Sequence, residues 1–237
     1  MSTAAIITIG DELLCGDVVD TNAVWLAKHL ERDGVHVQLV ASLPDDVERI
    51  GGFVRNASAE ADVVLVTGGL GGTPDDLTRE GIAEAFGVDR EQVPEIAELL
   101  RDRFPHDPDY AVRWAELPQG SRPLENPLGG APGFVLGNVY VFPGLPSEME
   151  AMFALIEDEF RGEQPIGSWR RSYRTTESRI VGVLEQAGEH HPTVRIGSYP
   201  SFGAGGGEVE IVLKSTDPAA LDAASSWLER ELAATDS

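Results

Sequence analysis

The stretch ADVVLVTGGLGGTPDDLTREGIAEAFG (residues 61–87) decides the expected fold. Its first seven residues form an apolar, β-branched run that predicts a buried strand. Glycines follow at positions 68, 69, 71 and 72, and the segment from Asp75 to Gly87 has the pattern of a helix. A buried strand, a glycine-rich loop and a helix in succession predict one unit of an α/β sheet, with a loop suited to an anion between strand and helix.

The same alternation continues on both sides of this stretch. Apolar runs at 4–10 and 35–43 predict two more strands, each followed by a helix. The segment GFVLGNVYVFPG (133–144) predicts a hairpin that turns at Gly137 and Asn138, and a helix follows with a capping box at Ser147 and Glu150. This order predicts an α/β fold, a three-layer αβα domain with a mostly parallel sheet, over residues 1–165.

A second, smaller domain is expected over residues 166–237. Its segments predict the order strand, helix, strand, strand, helix, which is typical of a small α+β domain with helices on one face of a sheet.

Composition limits the classes of partner. The net charge is −22, with 40 acidic residues spread along the chain and 18 basic ones, of which only Lys28 and Lys214 are lysines. Such a surface suggests a halophilic protein and argues against nucleic-acid binding, which needs clustered cations. No apolar run of about 18 residues exists, so no membrane partner is expected. The N-terminus lacks a signal peptide and Cys15 is the one cysteine, so we expect a cytoplasmic protein.

Acidic side chains follow the ends of four predicted strands. In an open α/β sheet, ligands bind outside the carboxyl ends of the strands, so these four loops could line one pocket. The carboxylates concerned are Asp11, Glu12, Asp45, Asp46, Asp75, Asp76 and Glu148.

A structural explanation stays open for several of these acids. Thr73 and Pro74 are a good N-cap and first helical residue, which would place Asp75 and Asp76 in the first turn of a helix. Asp45 and Asp46 could likewise only begin the helix that follows them. Asp11 and Glu12 are harder to explain in this way, because solubility does not require two acids directly after a buried strand.

The glycine loop matches neither the Walker A pattern nor G-x-G-x-x-G. Consecutive glycines before a helix still leave backbone N–H groups free for an anion. We therefore expect the glycine amides to hold a phosphate and the carboxylates to hold a divalent cation that bridges to it. Oxygen ligands select hard ions such as Mg²⁺ or Mn²⁺.

Five motifs then resemble one known family. GDELLCGDVVDTNA, TGGLGGTPDDLT, ELPQGS, NPLGGAPGF and FPGLPSEMEAM, in this order, resemble the competence/damage-inducible CinA family, whose core is a molybdopterin-binding-like domain similar to MogA, MoaB and part of MoeA. The segment RIGSYPSF (195–202) resembles the second domain of stand-alone members and the corresponding region of eukaryotic FAD synthases.

The resemblance implies metal-dependent hydrolysis of ADP-ribose to AMP and ribose 5-phosphate, with Mg²⁺, Mn²⁺ or Co²⁺, in a homo-oligomer (dimer or trimer). Molybdopterin binding or adenylylation is the alternative within the family, and a non-catalytic nucleotide-binding scaffold is a third possibility. No nicotinamide-nucleotide deamidase activity is expected, because the chain ends before that module. The ligand is expected to be a nucleotide or a pterin phosphate.

Site residues are expected in three roles. The catalytic residues would be Asp11, Asp75 and Asp76, and the metal ligands Glu12, Asp75 and Asp76. The substrate-binding residues would be Gly68, Gly69, Gly71, Thr73, Thr78, Asn22, Pro143, Gly144, Glu148 and Arg113.

The chain departs from the family pattern at three places. Gly72 stands where the family usually has proline, Arg113-Trp114 stands where it often has Lys-Gln, and Gly130 replaces the more usual threonine-containing form. Arginine can still clamp a phosphate, whereas tryptophan changes the shape of the site and could stack on a base.

Overall fold

The computed structural model describes residues 2–162, 165–203 and 206–235. Contacts divide the chain into two compact units, residues 1–162 and residues 163–237. No helix in these described ranges is long and apolar enough to cross a lipid bilayer.

The first unit is built on a six-stranded mixed sheet. Its strands, in spatial order, are β2 (His36–Leu43), β1 (Thr3–Ile9), β3 (Val63–Thr67), β8 (Val139–Phe142), β7 (Gly133–Leu136) and β6 (Arg122–Leu124). The first four are parallel, and β7 and β6 each run antiparallel to their neighbour. A separate two-stranded ribbon pairs β4 (Arg90–Gln92) with β5 (Glu116–Pro118). The expected mostly parallel sheet and the hairpin at Gly137 are both confirmed.

Helices cover both faces of this sheet. They are α1 (Asp11–Cys15), α2 (Thr21–Arg32), α3 (Val47–Glu60), α4 (Thr78–Phe86), α5 (Pro94–Arg103), α6 (Pro108–Ala111) and α7 (Pro146–Ile156). Alternate residues of β1 enter two different cores: Ile7 packs with α3 and α4, whereas Ile6 packs with α2 and α7. A strand with both faces buried has a continuous apolar sequence, which is why β1 and β3 could be recognised from sequence.

The helices of the first unit begin in different ways. Asp20 caps α2, because its carboxylate accepts a hydrogen bond from the Ala23 N–H at 2.9 Å. The capping box expected at Ser147 and Glu150 is wrong: α7 begins at Pro146 after Leu145, and no side chain caps it. Proline is well suited to the first helical position, so the helix begins before Ser147 can act as a cap.

The second unit has the predicted order of elements. It comprises β9 (Gly167–Tyr173), α8 (Glu177–His190), β10 (Arg195–Gly203), β11 (Gly206–Ser215) and α9 (Pro218–Thr235). The strands form an antiparallel sheet in the order β10-β11-β9. Apolar residues of both helices and of β11, such as Ile180, Leu228 and Ile211, make its core. The expectation of a small α+β domain is confirmed.

Candidate functional site

A cavity of about 550 Å³ lies at the carboxyl ends of the parallel strands of the first unit. The loops after β1, β2, β3 and β8 all contribute to its wall, because parallel strands bring their carboxyl ends to one edge of the sheet. Trp114, Gly130 and Ala131 complete the wall from outside these loops. The volume is within the range typical of pockets for small ligands, which is about 300–1,000 Å³.

Nine of the expected site residues line the cavity: Glu12, Gly68, Gly69, Gly71, Asp75, Asp76, Pro143, Gly144 and Glu148. Five others do not line it: Asp11, Asn22, Thr73, Thr78 and Arg113. Each of these five instead contacts a residue of the wall or of the loops that form it, so we describe them as supporting groups.

The backbone of the glycine loop allows no side chain at its first position. Gly68 has φ +105° and Gly69 has φ +62°, both in the region that favours glycine. A β-carbon at Gly68 would overlap the carbonyl oxygen of Ile9, and one at Gly144 would lie 3.3 Å from the Gly68 Cα. The loops after β1, β3 and β8 therefore meet at Gly68.

Two of the three glycine amides expected to bind phosphate are already used within the protein. The Gly68 N–H donates to the Phe142 carbonyl at 3.1 Å, and the Gly71 N–H donates to Asp76 Oδ1 at 2.8 Å. In this structure these two N–H groups are therefore not free for a phosphate. The N–H groups of Gly69, Leu70 and Gly72 have no acceptor within the described ranges. Of these residues Gly69 and Leu70 line the cavity, so theirs are the amides that this loop can offer to an anion there.

Asp76 braces the glycine loop. Besides the Gly71 N–H, its carboxylate accepts hydrogen bonds from the Thr73 N–H at 2.9 Å and from the Thr73 hydroxyl. Helix α4 begins only at Thr78, so the alternative that Asp75 and Asp76 open a helix capped by Thr73 is wrong. The Thr73 hydroxyl is engaged by Asp76, and the chain from Thr73 to Asp76 forms a turn instead.

Thr78 and Arg79 hold the same loop from its other side. The buried Thr78 hydroxyl donates to the Gly68 carbonyl at 2.8 Å. Arg79, only 4% exposed, donates from Nη1 to the Gly71 carbonyl at 3.1 Å and from Nη2 to the Leu70 carbonyl. Burial lowers the pKa of Arg79, yet a guanidinium remains charged at neutral pH.

Sequence analysis missed Arg79, although a signal was present. Arg79 lies in the first turn of α4, where the helix dipole disfavours a cation. A basic residue at that position, directly after a glycine-rich loop, points to a role outside the helix.

The carboxylates that face the cavity influence one another. Burial raises the pKa of Asp45 above its usual value, and the nearby charges of Asp11, Glu12 and Asp75 raise it further. A hydrogen bond from the Asp11 N–H to Asp45 Oδ2, at 3.2 Å, acts in the opposite direction. Among the residues that line the cavity within the described ranges, none is basic. The wall is therefore strongly negative and favours a cation.

Asp45 and Asp46 have different roles in the structure. Asp46 caps α3, because its carboxylate accepts a hydrogen bond from the Arg49 N–H at 2.8 Å. Asp45 instead lines the cavity beside the other acids. The structural explanation for this pair is therefore confirmed for Asp46 alone.

The carboxylates do not form a complete metal cage. Within the described part of the chain, no three His, Cys, Asp or Glu side chains lie close enough together to hold a metal ion. Mg²⁺ commonly takes only one or two protein carboxylates and completes its shell with water and substrate phosphates. Glu12 and Asp75, which line the cavity, are carboxylates of the kind that could hold a cation in that manner.

Asn22 and Arg113 do not line the cavity, but their side chains donate hydrogen bonds to the loops that form it. The buried Asn22 donates from Nδ2 to Thr67 Oγ1 and to the Gly144 carbonyl, both at 2.9 Å, and Thr67 Oγ1 donates to the Pro143 carbonyl at 2.8 Å. Arg113 donates from Nη1 to the Gly72 carbonyl at 3.1 Å. Asn22 thus positions Gly144 of the wall, and Arg113 holds the glycine loop at Gly72.

Comparison with known proteins identifies two regions. Residues 5–161 match the family described as "Probable molybdopterin binding domain", and residues 172–236 match "FAD synthase, middle domain". A crystal structure of the protein CinA, of unknown function, from Thermoplasma acidophilum is similar, with a TM-score of 0.63 and 36% identity. That match covers 67% of this chain and 98% of the Thermoplasma chain.

Two relatives match over most of this chain. A protein of Archaeoglobus fulgidus is 41% identical over 201 residues, which are 84% of this chain and 86% of the relative. A CinA-like protein of Frankia casuarinae is 40% identical over 228 residues, which are 88% of this chain but 52% of the relative. The chain thus spans about half the length of that bacterial relative.

Proposed function

The chain belongs to the CinA-like family of proteins with a molybdopterin-binding domain, and we propose that it is a metal-dependent hydrolase of a nucleotide-sugar pyrophosphate such as ADP-ribose. One observation carries the proposal: glycine-loop residues with free amides and several acidic residues line the same cavity. A pyrophosphate is anionic, so it can enter an acidic cavity only with a cation between the two sets of negative charge.

The free N–H groups of Gly69 and Leu70 would hold one phosphate of the substrate. Glu12 and Asp75 would hold the cation, which when bound polarises the phosphoryl group and lowers the pKa of water. Hydrogen bonding within the turn lowers the pKa of Asp75, so this carboxylate is ionised and ready to ligate. Metal binding is expected to be weak until the substrate supplies the remaining ligands.

Asp45 would accept the proton of the attacking water. Its raised pKa makes it a better base than an ordinary aspartate, and it lines the cavity together with Glu12 and Asp75. The water oxygen would attack one phosphorus, the bridging P–O bond would break, and its electron pair would leave with the other phosphate. The products of ADP-ribose would be AMP and ribose 5-phosphate.

The first test is an assay for AMP release. The protein, in molar KCl to suit its acidic surface, is incubated with ADP-ribose and with Mg²⁺, Mn²⁺ or Co²⁺ in turn. We expect AMP release with at least one metal and complete inhibition by EDTA, because the acidic cavity needs a cation to admit the pyrophosphate. Folded protein that releases no AMP with any of the three metals contradicts the proposal.

Asp75→Asn is expected to weaken the binding of the metal ion that AMP release requires. Because Asp75 would be one of only two or three protein ligands, its loss should raise the Mg²⁺ concentration for half-maximal AMP release about tenfold. Titration of Mg²⁺ against initial rate measures this. Asp102→Asn removes the same charge from the exposed surface of α5 and should leave the titration unchanged. Equal shifts in both variants would assign the effect to net charge.

Pterin chemistry is the second candidate, and the description of the matched family favours it. The same amides and carboxylates would hold the phosphate of a pterin in place of a nucleotide. A fluorescent pterin that copurifies with the protein, together with no AMP release, would support this function over the hydrolase.

A further inference from the structure

An aromatic cluster stands beside the last glycine of the loop. The Trp114 ring packs edge-on against Phe104, with centroids 5.3 Å apart, and against Tyr110, with centroids 5.7 Å apart. Among the described residues that line the cavity, Trp114 is the one aromatic side chain, and it is only partly buried. Part of the indole therefore packs on the protein while part of it faces the cavity.

Gly72 and Trp114 depend on each other. A β-carbon at Gly72 would lie 2.9 Å from the Tyr110 ring and 3.2 Å from Trp114 Nε1, closer than side chains normally approach. A side chain at position 72, proline included, would therefore collide with the aromatic pair. Gly72 and Trp114 thus form one local feature, in which the absence of a side chain on the loop leaves room for the indole.

The indole of Trp114 has a buried hydrogen-bond donor without a partner among the described residues, which is unfavourable for stability. Its Nε1–H is buried and has no acceptor in the described part of the chain. A buried donor without a partner is unfavourable, and phenylalanine could make similar edge-on contacts without that cost. Packing alone therefore does not account for a tryptophan at this position.

We propose that Trp114 stacks on a planar heteroaromatic ring of the ligand, namely the purine of a nucleotide. The proposal rests on the proposed function for the phosphate end of the ligand, which the Gly69 and Leu70 amides would hold. Trp114 and those amides belong to one cavity of about 550 Å³, large enough for a nucleotide. An aromatic side chain can stack on the flat face of any base. Trp114 would therefore supply affinity for the ring of the ligand and not for its sugar phosphate.

The test compares ligands with and without the ring. Equilibrium dialysis, in molar KCl with Mg²⁺, measures the Kd of AMP and of ribose 5-phosphate for the whole chain. Trp114→Leu is expected to raise the Kd of AMP about tenfold and to change that of ribose 5-phosphate less than twofold. Trp114→Phe keeps a flat ring and removes the unpaired N–H, so its AMP affinity should stay within about threefold of the unchanged protein. Circular dichroism confirms that each variant is folded.

The outcomes separate this proposal from the hydrolase. The proposal is overturned if Trp114→Leu weakens the binding of AMP and of ribose 5-phosphate equally, or if it leaves AMP binding unchanged. It is also overturned if the protein without substitutions binds neither AMP nor neopterin monophosphate. If Trp114→Leu loses affinity for AMP but not for ribose 5-phosphate, and the protein does not hydrolyse ADP-ribose, the stacking role is supported and the proposed hydrolase activity is contradicted. Neopterin monophosphate serves as a second ring ligand: tighter binding than AMP, lost in Trp114→Leu, would assign the ring to a pterin.

Discussion

Asp45→Asn is expected to lower the rate of AMP release at least 100-fold while raising thermal stability at pH 7. The loss of rate follows because asparagine cannot accept the proton of the attacking water. The gain in stability follows because burial disfavours the ionised carboxylate and the charges of Asp11, Glu12 and Asp75 also repel it. Opposite signs for activity and stability are typical of groups that a protein holds in place for function.

The sign of the pH dependence follows from the raised pKa of Asp45. The folded protein holds the Asp45 proton more tightly than the unfolded chain does, so stability is lost as the pH rises through that pKa. Solvent screens this partly exposed group, so the gain in Asp45→Asn at pH 7 should be only about 0.5 kcal/mol, or about 1–2 °C in the unfolding midpoint. The gain should shrink as the pH falls and the native Asp45 becomes protonated.

Asp46→Asn is the matched control, because it makes the same chemical change at the next residue. Asparagine caps helices as well as aspartate does, so α3 should keep its start and both properties should stay unchanged. Thermal unfolding at several pH values and initial rates of AMP release measure all three proteins. A stable Asp45→Asn variant with full activity would remove Asp45 from the proposed mechanism.

The position of the site could be predicted from sequence because its signals are local. Short apolar runs mark strands such as β1 and β3, and a rule of topology places the residues after parallel strands at one edge. The pattern of apolar residues and this rule together were enough to predict that four loops line one cavity, without knowledge of any contact between the loops.

The roles of individual acids could not be predicted, because they depend on contacts across the fold. Asp45 and Asp46 are equivalent in sequence, and only the approach of the loop after β1 separates a cavity residue from a helix cap. The interaction of Arg79 with the carbonyls of Leu70 and Gly71 is likewise absent from any local pattern. Thr73 and Pro74 suggested a helix start that the hydrogen bonds of Asp76 prevent.

Asp76→Asn is expected to lose both activity and stability, in contrast to Asp45→Asn. The Asp76 carboxylate accepts hydrogen bonds from the N–H groups of Gly71 and Thr73 and from the Thr73 hydroxyl. An asparagine amide has one acceptor oxygen and would turn its NH₂ group towards a donor. Hydrogen bonds to a charged group contribute about 1.5–3 kcal/mol, so the unfolding midpoint should fall by about 5 °C.

Activity should fall about 100-fold in Asp76→Asn, because a loose glycine loop no longer presents the Gly69 and Leu70 amides in a fixed position. Asp75→Asn is the matched control for stability: Asp75 is exposed, so its change should lower the midpoint much less than Asp76→Asn does. Differential scanning calorimetry and rates of AMP release on the three proteins test this. An Asp76→Asn variant that unfolds at the original temperature, yet releases no AMP, would show that Asp76 acts on the metal or the substrate directly and that bracing the loop is not its main role.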